Sequence, residues 1–234
     1  MTGSKRDAME RLLWSTYSVT YDGLRNFYPY RLLVWRVVQR CASEVSAPHA
    51  VVELGCGTGN VLQALGLRWP GASITGVDSS KAMCRRARAK TPAADVVLAD
   101  ALHYLRSCDD NSIPLVVMTN SLYAVPNRLA LWTELLRVLE PDGAAVITNS
   151  DRPGSAGLVR EHLRNARSPA MFDPRLLFVG LIDMAISRLA RSGTFAFASV
   201  EVLRAEVSLS GGCLCSPERC YGGVNVLFAV RKKG

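Results

Sequence analysis

The chain lacks any run of about 20 apolar residues, the length a helix needs to cross a bilayer. Its nearest candidate, residues 176–186, is too short and carries Asp183. Residues 1–10 alternate charged and small side chains, without the apolar stretch of a secretion signal. Histidine is scarce, with only His49, His103 and His162, so general bases are few. The seven cysteines are odd in number and follow no framework spacing, which argues against a secreted disulfide scaffold and for reduced thiols in a cytoplasmic protein. Acidic residues are the minority, 20 against 28 Lys and Arg, leaving a net charge of +8. A basic balance raises the prospect of a polyanion, although it can also reflect arginine usage alone.

What is present is a globular composition. Of the 234 residues, 49% are hydrophobic and 21% charged. That suits one domain with a sizeable core, able to bury roughly 70–75% of its unfolded surface. Four segments are expected: an N-terminal helical lid (1–46), an α/β core (47–151), a helical cap insert (152–192) and a closing β-hairpin (193–234). Apolar spacing predicts helices over 7–14 and 32–45, with an aromatic link of Tyr17, Tyr21, Phe27, Tyr28 and Tyr30 between them. Short apolar strands are predicted at 50–54, 73–78, 95–98, 113–118 and 144–148. They alternate with helices at 61–69, 81–90 and 129–139. This rhythm implies a parallel sheet covered on both faces. Residues 194–209 and 223–230 read as the hairpin strands, joined by a Gly/Cys/Pro loop.

The strongest local signal is Glu53-Leu54-Gly55-Cys56-Gly57-Thr58-Gly59-Asn60, after a strand and opening a helix. Glycines there permit a tight turn and close backbone approach to a ligand. The spacing departs from G-x-G-x-x-G, and no Lys follows to make a phosphate loop. Asp78 ends the second strand, where a carboxylate can accept from both ribose hydroxyls of an adenosine ligand. Asp100 follows the third strand, where it can accept an adenine amino group. Each acid has a plainer reading as a helix cap. Three successive strand ends that suit an adenosine favour the ligand.

These residues, with Gly76-Val77-Asp78, Ala99-Asp100-Ala101 and Leu136-Arg137-Val138-Leu139-Glu140-Pro141-Asp142-Gly143, resemble the class I S-adenosylmethionine-dependent methyltransferases over residues 48–150. The resemblance is to their small-molecule, ubiquinone/menaquinone-type branch. It implies a Rossmann-like seven-stranded, mostly parallel sheet with an antiparallel C-terminal hairpin. It also implies S-adenosyl-L-methionine as cofactor. Glu53, Gly55, Cys56, Gly57 and Gly59 would support its methionine part, Asp78 with Ser79 the ribose, and Asp100 with Ala101 the adenine. Asp142-Gly143 stands where Gly-Gly is usual and still makes a turn.

Residues 119–123, Thr-Asn-Ser-Leu-Tyr, should lie beside the transferable methyl. Amino-directed nucleic-acid methyltransferases carry Asn-Pro-Pro-Tyr there. Ser121-Leu122 in place of the prolines argues against nucleic acid and for a small-molecule substrate. Asn120 and Tyr123 are candidates for orienting it, against a polar loop with an aromatic that merely packs. Tyr17 and Tyr21 are lid candidates near the cofactor, where an aromatic face attracts a sulfonium by about 0.5–2 kcal/mol; the alternative is a patch binding the first helix to the sheet. His162 and Arg152, Arg160, Arg164 and Arg167 of the insert either meet the acceptor or lie on a solvated face. Residues 176–186 could line a pocket or a homodimer contact. Cys213, Cys215 and Cys220 are one thiolate short of a structural zinc set, so the expectation is no metal and a reduced loop, or a Cys213–Cys220 bridge in air.

The function expected is methyl transfer to a small molecule by in-line displacement, with proximity and desolvation. The alternatives are transfer of another sulfonium carbon (aminocarboxypropyl transfer or cyclisation), or a nucleic-acid-binding or non-catalytic cofactor-binding subunit.

Overall fold

The computed structural model describes residues 22–151, 156–165, 181 and 195–233. Seven strands form one sheet in the order β3-β2-β1-β4-β5-β7-β6. They are β1 (Ala50–Leu54), β2 (Ser73–Asp78), β3 (Asp95–Leu98), β4 (Ile113–Thr119), β5 (Leu139–Ser150), β6 (Gly212–Cys220) and β7 (Asn225–Lys232). Strands β1 to β5 pair in parallel, β7 runs antiparallel to β5, and β6 pairs antiparallel with β7. The helices are α1 (Tyr28–Glu44), α2 (Asn60–Arg68), α3 (Lys81–Lys90), α4 (Ala101–Arg106), α5 (Arg128–Val138), α6 (Ala156–Asn165) and α7 (Val200–Leu209).

Alternation along the strands divides the core into two layers. Leu115, Val117, Val146 and Leu227 face α1, α2 and α3, represented by Leu33, Val37, Leu62, Leu65 and Cys84. Val116, Met118, Ala145, Ile147 and Phe228 face α4, α5 and α7, represented by Leu105, Leu131, Trp132, Leu135 and Leu203. Every residue of β4 is buried, as expected of a central parallel strand. Helix starts follow side-chain chemistry. Ser80, Asp100, Asn127 and Ser199 accept the backbone N–H of Met83, His103, Ala130 and Val202, respectively. Pro29 sits in the first turn of α1, where its missing N–H costs nothing.

Helix α1 is fastened to the far edge of the sheet by arginines. Arg36 donates to the Arg219 carbonyl, and Arg40 to those of Cys215 and Ser216. Arg231 binds Glu44.

The structure corrects the reading of the C-terminal region. Residues 200–209 are helix α7, and the supposed Gly/Cys/Pro loop is itself strand β6. Val200, Val202 and Val207 imitate a strand, but Leu203 and Val207, four apart, are the residues that bury. Glu206 holds the Arg128 guanidinium with two oxygens at 2.6 and 2.9 Å and accepts Trp132 Nε1 at 3.1 Å. A Cys213–Cys220 bridge is excluded within β6, because seven residues of extended strand place these cysteines about 20 Å apart. The seven cysteines are free, and Cys213 and Cys215 lie with their sulfurs 3.6 Å apart. The helix predicted at 7–14, Tyr17, Tyr21 and most of the 152–192 insert lie outside the described residues. Among the described residues no helix is long and apolar enough to cross a membrane.

The Arg128 pair holds the Glu206 carboxyl below the usual carboxylate range. Its stabilising contribution is therefore complete above that range and is lost as pH falls through the depressed value. Glu206→Gln is expected to lower stability by about 1–3 kcal/mol at pH 7 in urea unfolding and to flatten the acid limb of the stability curve.

Candidate functional site

The sheet order reverses between β1 and β4, and the carboxyl ends of such neighbours open a crevice for a ligand. The glycine loop leaves β1 there, and Asn120 and Ser121 leave β4 opposite it. The two connections nearly touch. A Cβ on Gly55, whose φ is +74°, would lie 2.5 Å from Ser121 Cβ. Gly59 is similarly constrained, with φ +82°, and a Cβ there would lie 3.2 Å from the Ala87 backbone of α3. Ser121 Oγ donates to the Leu54 carbonyl, closing the base of the crevice.

Four of the loop's amides are spent inside the protein. Gly55 and Cys56 donate to the Val77 carbonyl, Gly59 to that of Cys56, and Gly57 to Asp78 Oδ2 at 2.9 Å. The second Asp78 oxygen accepts Ser80 N–H at 2.8 Å. A phosphate cradle needs free amides, and these four are already used. The adjoining side chains offer acceptors. Glu53 is 2% exposed, and its Oε2 has no partner. Burial, then repulsion from Asp78, pushes the Glu53 carboxyl well above its ordinary range, while a hydrogen bond from the Leu62 backbone pulls the other way. That bond lies in the first turn of α2, whose N-cap Gly59 has no side chain to offer. Burial also raises the Asp78 carboxyl, opposed by its two backbone hydrogen bonds.

The sequence-derived candidates divide clearly. Glu53, Gly55, Gly57, Gly59 and Asp78 come together. Cys56 contributes its backbone, its side chain being buried against Gly76. Ser79 is exposed beside Asp78. Asp100 is exposed and caps α4 through His103 N–H at 2.9 Å, so the capping reading holds and leaves its other oxygen available; Ala101 begins that helix.

Asn120 occupies left-handed backbone, φ +54°. Its Oδ1 accepts from Thr148 Oγ1 at 3.2 Å and from Asn225 Nδ2. Only its Nδ2 is left to address a ligand. Tyr123 is 6% exposed, with its ring stacked on Phe197 at 5.2 Å and edge-on to Phe195 at 5.1 Å. It is the packing aromatic, and it holds the 195–197 segment against the end of β4.

His162 overturns the expectation of a solvated position. It is 5% exposed, stacked on Phe27 at 4.5 Å, and its Nδ1 accepts Tyr28 N–H at the start of α1. Arg160 and Arg164 of the same helix are exposed. Arg152 and Arg167 lie outside the described residues, as do residues 176–186 apart from Leu181. His49 is exposed, 3.6 Å from Glu140.

Sequence reasoning missed Asn225, Thr148 and Lys90. The first two lie on strands that meet Asn120 only through the sheet order. Lys90 looked like one cation among several on a surface helix. Among the described residues no cluster of three or more His, Cys, Asp or Glu could hold a metal.

Residues 52–147 match the family described as "Methyltransferase domain". The trans-aconitate 2-methyltransferase of Rhodopseudomonas palustris is 36% identical over 105 residues, 44% of this chain and 40% of that protein. The chain thus matches well under half the length of that curated relative. Among solved structures, N-methyltransferase NodS of Bradyrhizobium japonicum, in complex with S-adenosyl-L-homocysteine, superposes with TM-score 0.62 at 16% identity, covering 90% of this chain and 91% of NodS. A chain of the Haloferax volcanii complex of the Trm112 methyltransferase activator superposes with TM-score 0.64 at 14% identity, covering 94% and 98%.

With its folded pKa raised, Glu53 holds a proton in the native state that the unfolded chain releases. Stability therefore falls as pH rises through the window between the two values. The melting temperature of the ligand-free protein should drop as pH rises above the ordinary carboxylate range, and Glu53→Gln should remove much of that slope.

Proposed function

We propose that residues 52–147, which match the family described as "Methyltransferase domain", are a class I S-adenosylmethionine-dependent methyltransferase core, and that the protein transfers a methyl group from S-adenosylmethionine to a small-molecule acceptor. The observation that carries this reading is the acceptor-rich crevice. The amides of Gly55, Cys56, Gly57 and Gly59 are already bonded, while the buried Glu53 Oε2 lacks a donor. Such a site suits a ligand bearing an ammonium and a sulfonium, and it disfavours a phosphate. The residues fit the cofactor: Glu53 and the loop for its methionine part, Asp78 for its ribose, and the free oxygen of Asp100 with Ala101 for its adenine.

When bound, S-adenosylmethionine supplies an activated methyl for in-line displacement. The chain's own contribution is orientation and exclusion of water. Asn120 Nδ2 orients the acceptor, and Tyr123 with Phe195 and Phe197 forms an apolar wall beside it.

Around the carboxyl ends of β4 and β5 the polar side chains are hydroxyls and amides, namely Thr119, Asn120, Ser121, Thr148, Asn149 and Ser150. Asp151 Oδ2 pairs with Arg219 at 2.6 Å, while its Oδ1 is buried without a partner. Asp151 is the one carboxylate among these described side chains, and the surrounding hydroxyls and amides suit an acceptor that arrives as a nucleophile already, such as a carboxylate. The relatives named for trans-aconitate, itself a carboxylate, agree with that class, although their similarity covers only 44% of this chain. The free cysteines suit a reducing, cytoplasmic setting.

Asp78→Asn keeps one side-chain oxygen to accept a backbone amide and removes the negative charge. It is expected to weaken S-adenosylhomocysteine binding at least about tenfold by calorimetry, with the fold retained. Unchanged affinity would sink the cofactor assignment. Turnover should release S-adenosylhomocysteine; release of methylthioadenosine would replace methyl transfer with aminocarboxypropyl transfer.

A further inference from the structure

Lys90 is the last residue of α3 and stands behind the glycine loop. Its ammonium donates to Thr58 Oγ1 at 3.1 Å and to Asn60 Oδ1 at 2.6 Å, and it pairs with Asp22 of the turn that precedes α1. All three of its N–H groups are thereby used. The partners are linked among themselves. Thr58 Oγ1 donates to Asp22 Oδ1 at 2.7 Å, and Asn60 Nδ2 donates to the Tyr30 hydroxyl at 3.4 Å. Thr58 is fully buried, and the Lys90 side chain is only 11% exposed. A parallel bond joins Arg25 to Gln63 of α2 at 3.0 Å.

Thr58 and Asn60 flank Gly59, so the loop is gripped from two sides. Asp78 holds the Gly57 amide at its front, and Lys90 holds both neighbours of Gly59 at its back. Resting on the cofactor reading above, we propose that Lys90 is a positioning residue that couples docking of the N-terminal segment at Asp22 to the cofactor-binding shape of the glycine loop.

The coupling follows from burial. With Asp22 docked, the ammonium has an anion and two neutral acceptors. With Asp22 withdrawn, a mostly buried cation keeps only the neutral pair, and the loop residues holding it must shift or admit water. Burial lowers the Lys90 pKa, and the Asp22 carboxylate opposes that effect. A ligand that favours the docked loop must favour the docked segment equally, because the linkage is reciprocal. Leu24 and Phe27 hold the same segment from its other side, in an apolar cluster with Tyr30 and with Leu158 of α6.

The test is calorimetric titration of S-adenosylhomocysteine into wild type, Lys90→Met, Asp22→Asn and the double variant, with thermal melts of each. Each single change should weaken binding about tenfold, and the double variant should bind no more weakly than the worse single. Limited proteolysis should show S-adenosylhomocysteine protecting the chain around Asp22 in wild type and failing to do so in Lys90→Met. If Lys90→Met does not fold, the more exposed Asp22→Asn carries the same expectation. Wild-type affinity in the single variants, or effects that multiply in the double, would overturn the proposal. So would a loss confined to the melting temperature of the ligand-free protein, since that marks a purely structural lysine. A wild-type chain that binds neither S-adenosylmethionine nor S-adenosylhomocysteine would overturn the functional reading and this proposal together.

Discussion

The hydrogen bond from the Gly57 amide to the Asp78 carboxylate sets the geometry on which the site depends. It joins the loop after β1 to the end of β2, beside the place where the strand order reverses. With Gly55 and Cys56 bonded to Val77, it fixes three consecutive positions of the loop against one strand end. The loop can then approach Ser121 so closely that position 55 has no room for a side chain. What remains open is a crevice whose chemistry is set by subtraction. On the loop side the amides of Gly55, Cys56, Gly57 and Gly59 are consumed in holding the loop, so acceptors face the ligand there.

The parallel half of the fold was legible because each element obeys a local rule. The bounds of β1, β2, β3 and α3 coincide with those read from the apolar pattern, while the cap of α3 is Ser80 rather than the Asp78 that the sequence offered. The C-terminal part was harder. Residues 200–209 carry branched side chains that imitate a strand, yet their burial follows helical spacing and the Glu206 pair that fastens α7 to α5. Strand β6 hid behind Gly, Cys and Pro because it is an irregular edge strand. Its register shifts between Cys215 and Glu218, and Ser216 has φ +43°. The cofactor residues were readable because they lie within three short motifs. Asn225 and Thr148 were not, since only the sheet order brings them to Asn120.

The positive charge that first suggested a polyanion is largely structural among the described residues. Arg137 donates to the carbonyls of Leu105 and Cys108 while pairing with Glu134 and Asp110. Arg128 is held by Glu206, and Lys90 is enclosed. These cations act as tethers between elements, where a long side chain ending in several donors spans gaps that a short polar residue cannot.

The arginines over β6 have a consequence outside the site. As the last strand in the order, β6 presents the sheet's longer free edge, the feature through which chains most readily zip together. Arg204, Arg40 and Arg36 take the carbonyls of Leu214, Cys215, Ser216 and Arg219, and Pro217 offers no amide. An incoming strand would find its acceptors occupied and one donor missing. The opposite edge, β3, is only four residues long. Protection against strand-to-strand aggregation is therefore built from the same guanidinium groups that seat α1 and α7.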